Sequence, residues 1–234
     1  MNGYIIIILI VVLGIVYIYW NPLKIHNLIF GTQKTIYKLN EYNPSSSIGI
    51  TIDDVPYRDY TILKSILDTF KNTTHKLTFF VISSFINDSN RHLLIRAVRE
   101  GHMLANHGIT DRCHYKLNNV ELEKKIFECQ KVLEDIYMEA NVEMYDNIYY
   151  RPGCGFVNSH MKYLEQDGVL RIVLGSVYSN DPHIPIDRIN TWYIKNQLVN
   201  MDIIILHDRP WTLKTLTNLK SFINANKLRS ISIK

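Results

Sequence analysis

The chain has 234 residues, 47 % hydrophobic and 21 % charged, which suits one domain with an appendage and excludes a disordered or low-complexity chain. Lys and Arg outnumber Asp and Glu by 26 to 22, and the resulting +4 demands no nucleic-acid partner. Three cysteines (Cys113, Cys129, Cys154) are too few for a disulfide framework and lack the paired spacing of a zinc site.

Residues 4–20, YIIIILIVVLGIVYIYW, contain no charge and so have no polar face to turn outward. A run of this length is close to the bilayer core thickness, and Tyr17, Tyr19 and Trp20 close it like an interfacial aromatic belt. The expectation is an uncleaved single-pass transmembrane anchor over 1–22 that stands off the body and gives a membrane location. The side of the membrane is open: Lys24, Lys34 and Lys38 would keep the body cytosolic, while the glycosylation acceptors Asn72-Thr73-Thr74 and Asn87-Asp88-Ser89 pull the other way. Residues 23–47, polar and ending in Asn43-Pro44-Ser45-Ser46-Ser47, read as a stalk or loosely packed linker.

From residue 48 the pattern alternates. Strands are expected at Ile48–Asp53, Leu77–Ser83, Met103–Asn106, Ile148–Tyr150, Val169–Leu174, Ile203–His207 and Ile231–Ile233. Apolar residues at helical spacing place helices over 59–71, 90–100, 118–139, 158–167, 187–199 and 212–225. The run LTFFVIS is continuously apolar, as in a strand buried on both faces. Strand–helix alternation predicts an α/β fold with parallel strands and outer helices, either an open sheet or a barrel.

Polar clusters fall where strands end, the place where α/β folds collect ligands and chemistry. They are Thr51–Pro56, Asn106–Asp111, Arg151-Pro152-Gly153, Ser176–Asp181 and Leu206-His207-Asp208. Singly, each also suits an ordinary turn or helix cap. Together they point to a site, because adjacent carboxylates such as Asp53 and Asp54 repel unless a cation or hydrogen bonds compensate. Histidines add the nitrogen donors that zinc favours.

The motifs T-I-D-D-x-P, G-H-x-x-x-N-H, R-P-G and L-H-D, in this order and at these distances, resemble the polysaccharide deacetylases of the NodB-homology, carbohydrate esterase family 4 type. The resemblance covers about residues 48–234, and T-I-D-D-x-P with N-H-G-x-T-D is closest in flavour to fungal-type chitin deacetylase relatives. It implies a distorted (β/α) barrel, a divalent metal and hydrolysis of N-acetyl groups on an amino-sugar polymer or oligomer. By the family pattern Asp53 is the general base, Arg151 steadies it, His207 is the general acid, and Asp181 tunes that histidine. Asp54 and His107 are metal ligands. The third ligand departs from the pattern: Asp111 stands where a second histidine is usual, and His114 is its rival. Zn²⁺ is the first choice of metal, and greater oxygen ligation brings Mn²⁺ or Mg²⁺ into range. The implied partners are a carbohydrate substrate and, through the N-terminal helix, a membrane; the oligomeric state is open. Two other readings stand beside this one: a hydrolase of another non-peptide C–N bond, and a catalytically silent carbohydrate-binding surface protein.

Overall fold

The computed structural model describes residues 3–19, 31–40, 44, 46–58 and 60–233. The first element, α1 (Gly3–Tyr19), is one 17-residue helix, and its described side chains, at 3–9 and 11–13, are exposed. Among the described residues no helix is long and apolar enough to cross a membrane. Seventeen residues rise only about 26 Å against a hydrocarbon core of about 30 Å. The transmembrane anchor, the membrane partner and the membrane location expected from the sequence are therefore corrected: the run was read as close to the bilayer thickness, and the described helix falls short of what a crossing needs. Trp20 and Lys24, invoked for the belt and the orientation, lie outside the described residues.

The described part of the expected stalk is docked. Ile36 N–H donates to the Ile172 carbonyl, Leu39 is buried, and Lys38 pairs with Asp202 at 2.8 Å. Single bridges join Ile36 to Val173 and Lys38 to Asp202. Thr32 and Thr35 also donate to the Glu165 carboxylate, so bridges, side-chain hydrogen bonds and the buried Leu39 together seat the segment. Asn43 and Ser45 of the expected linker lie outside the described residues.

The body is one parallel eight-stranded sheet with helices against it. In chain order its elements are β1 (Ser47–Val55), α2 (Tyr60–Phe70), β2 (Thr78–Val81), α3 (Arg91–Arg99), β3 (Met103–Asn106), α4 (Asn119–Ala140), β4 (Ile148–Tyr150), α5 (Ser159–Gln166), β5 (Leu170–Ile172), β6 (Val177–Tyr178), α6 (Asp187–Gln197), β7 (Ile203–His207), α7 (Thr212–Ala225) and β8 (Arg229–Ile231). The strand order is β5-β4-β3-β2-β1-β7-β6, with β8 beside β1. The sheet is a curled half-barrel, consistent with the distorted (β/α) barrel the resemblance implied. The two-residue β6 carried no pattern long enough to read, and β8 starts two residues before the strand expected there.

Every residue of β1 and β2 is buried: helices pack on one face, and on the other strand and loop side chains such as Phe80, Ile203, Leu39 and Ile233 pack together. The helices bury one stripe each; α2 turns Leu63, Ile66, Leu67 and Phe70 inward. α4 starts where Asn118 Oδ1 accepts from Glu121 N–H and stops at Asn141, in the left-handed region at φ 56°.

Parallelism decides where the site lies. Residue pairs Asp53 with His207, Val81 with Asn106, and Asn106 with Tyr150 align the far ends of β1, β7, β2, β3 and β4. The polar segments that follow these strands therefore gather on one rim.

Candidate active site

The rim surrounds a cavity of about 490 Å³ whose lining includes Asp53, Asp54, His107, Asp111, Arg151 and His207. In a regular strand Asp53 and Asp54 would point to opposite faces. Here the β1–β2 register shifts between Ile52 and Val55, and Asp54 has φ 62°. The irregularity turns both buried carboxylates into the same cavity.

Each carboxylate has its own compensation. Arg151 Nη1 lies 2.5 Å from Asp53 Oδ1 and 2.7 Å from Thr51 Oγ1. Arg151 Nε donates to the Val173 carbonyl, and the guanidinium stacks 4.0 Å over the Phe80 ring. Burial pulls Arg151 below the ordinary arginine range, opposed by the charge of Asp53. Even so, an arginine stays charged.

Asp54 sits between two donors. Arg209 Nη2 is 2.6 Å from its Oδ2, and His107 Nε2 is 3.4 Å from its Oδ1. Burial acts to raise the Asp54 pKa, but the hydrogen bond and charge of His107, with the charges of His207 and Arg209, outweigh it and hold the carboxyl far below the usual range. His107 Nδ1–H donates to the Arg151 carbonyl at 2.7 Å, which turns Nε2 toward Asp54. Burial lowers the His107 pKa, and the hydrogen bond to Asp54 and the charges of Asp53 and Asp54 raise it further than burial lowers it.

His207 faces this group from β7. Asp181, fully buried, accepts from His207 Nδ1 at 3.0 Å and from the His207 backbone N–H at 2.9 Å. Burial again lowers the imidazole pKa, and Asp181 first, then Asp53 and Asp54, lift it above the ordinary value. A histidine held this way keeps its proton to higher pH.

The third metal donor expected from the motif is not assembled. Among the described residues no group of three His, Cys, Asp or Glu side chains is placed to hold a metal ion. Asp111 lines the same cavity but is exposed and does not complete the pair. Its spacing from His107 does not act as helical spacing, because the segment is a loop turned at Gly108 (φ 78°). His114 lies under that turn, and a Cβ on Gly108 would meet its ring at 2.6 Å. Both His114 nitrogens are occupied: Nδ1 accepts from Tyr150 O–H and Gly153 N–H, and Nε2–H donates to the Thr110 carbonyl. Asp54 and His107 nevertheless suit a shared cation, since a neutral His107 leaves two acceptor atoms facing each other. One oxygen and one imidazole nitrogen fit Zn²⁺, and Mn²⁺ as well.

Three features of the rim were missed in the sequence. Cys113 and Cys154 form a disulfide that joins the loop after β3 to the loop after β4, across 41 residues of chain. Gly153 beside it lies so close to Arg112 that a Cβ would come within 2.0 Å of the Arg112 carbonyl oxygen. Arg209, two residues beyond the L-H pair, supplies a cation at Asp54. The only sequence signal for Arg209 was its place in L-H-D-R-P.

The buried histidines make a pH prediction. His102 Nδ1 accepts from Leu77 N–H, and burial, with the charges of Lys76 and Arg96, pushes its pKa down to about 3. Burial and the charge of His107 bring His114 down to about 4. Both folded values lie below the unfolded one of about 6.5, so the unfolded chain binds more protons and stability falls as pH drops from about 6.5 toward 4 and 3. His107 and His207, with raised values, act oppositely: their contribution is complete below about 6.5 and is lost as pH rises through their folded pKa. Urea unfolding between pH 6 and 4 should lose about 1.4 kcal/mol per pH unit for each of His102 and His114. His102→Gln should remove its share of that slope; an unchanged slope refutes the assignment.

Comparison with known proteins places this geometry. Residues 40–171 match the family described as polysaccharide deacetylase. The peptidoglycan-N-acetylglucosamine deacetylase of Bacillus cereus is 27 % identical over 170 residues, covering 71 % of this chain and 74 % of that protein. That of Listeria monocytogenes is 30 % identical over 179 residues, covering 74 % of this chain but 36 % of its own length. The chain thus spans about three quarters of the first relative and little more than a third of the second. Among solved structures, a CE4 family pseudoenzyme from Bacillus anthracis superposes with a TM-score of 0.71 at 18 % identity, over 85 % of this chain and 67 % of that one. The fungal-type chitin deacetylase flavour read from the motifs finds no support in these bacterial relatives.

Proposed function

The chain belongs to the polysaccharide deacetylase family, and from this premise we propose that it hydrolyses the N-acetyl group of N-acetylglucosamine units in a peptidoglycan-type polymer. The observation that carries the reading is one cavity holding a base candidate clamped by an arginine, Asp53 with Arg151, and an acid candidate clamped by a carboxylate, His207 with Asp181. The relatives' names favour peptidoglycan over chitin as the polymer.

The chemistry follows from these side chains. Asp53, held in place by Arg151, takes a proton from the attacking water as its oxygen bonds to the acetamide carbon. His207, with Nδ1 fixed on Asp181, gives a proton to the sugar nitrogen as the C–N bond breaks. Acetate and a free amino sugar leave, and the proton gained by Asp53 balances the one lost by His207. Asp54 and His107 would hold a divalent cation, which when bound polarises the acetamide carbonyl and acidifies water. Phe156 and Tyr178 line the cavity and offer apolar faces to a sugar ring.

A second reading, a catalytically silent carbohydrate binder, is favoured by the Arg209–Asp54 pair and by the unassembled third donor. One experiment separates the two. The purified chain is incubated with N-acetylglucosamine oligomers and with peptidoglycan, with Zn²⁺ or Mn²⁺ and with EDTA, and acetate is measured. Acetate release that EDTA suppresses is the expected result. Binding of glycan with no acetate under any condition selects the silent binder.

A further inference from the structure

We propose that Arg209 is a displaceable internal cation that competes with a divalent metal for Asp54; the inference rests on the metal reading of Asp54 and His107 given above. The Asp54–Arg209 pair is largely withdrawn from water, with side-chain exposures of 7 % and 14 %. Arg209 is held from three sides. Nη2 is on Asp54 Oδ2, Nη1 donates to the Asp208 carbonyl at 3.0 Å, and the guanidinium carbon stands 3.9 Å above the Tyr57 ring. Tyr57 is itself tied to the same loop, since its N–H donates to Asp208 Oδ2 at 2.9 Å. Tyr57, Asp208 and Arg209 thus form one preorganised unit aimed at Asp54. Stacking and a planar fork suit arginine to this place.

The competition follows from charge and from lone pairs. A divalent cation at Asp54 needs a carboxylate oxygen and carries two positive charges. The guanidinium takes Oδ2 and places its own positive charge in contact with the same carboxylate. Like charges a few ångströms apart in a partly buried site repel strongly. The metal therefore binds fully only when the arginine withdraws. Arg209 lines the cavity and remains partly exposed, so it has solvent to withdraw into. In this account the chain has a cation of its own in the site and pays for metal loading by giving it up.

The test is a metal titration. The full chain is stripped with EDTA, exchanged into chelator-free buffer, and titrated with Zn²⁺ against a chromophoric competitor. Arg209→Gln should lower the Kd for Zn²⁺ about tenfold or more. Tyr57→Leu, which loosens the guanidinium without removing it, should lower the Kd by a smaller factor and decides the matter where the glutamine variant fails to fold. An unchanged or higher Kd in Arg209→Gln, or in Tyr57→Leu where that variant decides, overturns the proposal. His107→Ala tests the underlying reading separately: it should weaken Zn²⁺ binding, and wild-type affinity in that variant removes the metal reading and the proposal with it.

Discussion

Asp53→Asn is expected to lower the rate of acetate release by about two to four orders of magnitude, the range assigned to a general base. The change keeps the volume and still offers Oδ1 to Arg151 Nη1, but it removes the lone pair that takes the water proton. Arg151 then remains buried with its charge uncompensated. Losing one partner of a buried pair costs about 3–5 kcal/mol, so the variant should also unfold at lower denaturant. Two measurements on the same sample keep the effects apart: acetate release under conditions where circular dichroism shows the native signal, and the urea midpoint. Native-like protein with undiminished acetate release refutes the base assignment and most of the mechanism.

His207→Ala should lower kcat by about two to four orders of magnitude with little change in KM, because the proton it supplies is needed only as the C–N bond breaks. The leaving group makes the prediction specific. An amine leaving from a sugar must be protonated, whereas 4-nitrophenolate leaves without a proton. The loss on 4-nitrophenyl acetate should therefore be much smaller than on the N-acetyl sugar. Equal losses on both would make His207 a structural residue. In the wild type, activity should fall as pH rises through the elevated His207 pKa, since the acid must be protonated to act.

How much of this was legible in the sequence depended on how local each signal was. The strands that end in the cavity could be read because each is an apolar run that stops at polar residues, as Ile203–Leu206 stops at His207. Their gathering on one rim followed from parallel alternation alone. Asp181 against His207 could be named only through the family likeness, since 26 residues separate them and Asp181 lies in a loop. Three readings failed where a local pattern needed a three-dimensional partner. Asp111 kept the motif's spacing, but the turn at Gly108 puts His114 beneath it and leaves Asp111 exposed. The Cys113–Cys154 bridge joins two loops that no periodicity relates. The docking of residues 36–39 depends on single bridges and one buried leucine, which composition does not register. The N-terminal helix failed differently: its apolar character was read correctly, but a length close to the bilayer core was taken as enough for a crossing.

Asp53 and His207 are cross-strand partners on neighbouring parallel strands, β1 and β7. Adjacent strands are held about 4.8 Å apart by their ladder hydrogen bonds. The backbones that carry the two proposed proton-handling groups are therefore held side by side while the centre of the sheet is intact. Opening that ladder means breaking into β1, which is buried along its whole length and sits in the middle of the sheet. The cost of opening approaches the cost of unfolding the domain. On heating, loss of the proposed activity is therefore expected to coincide with loss of fold.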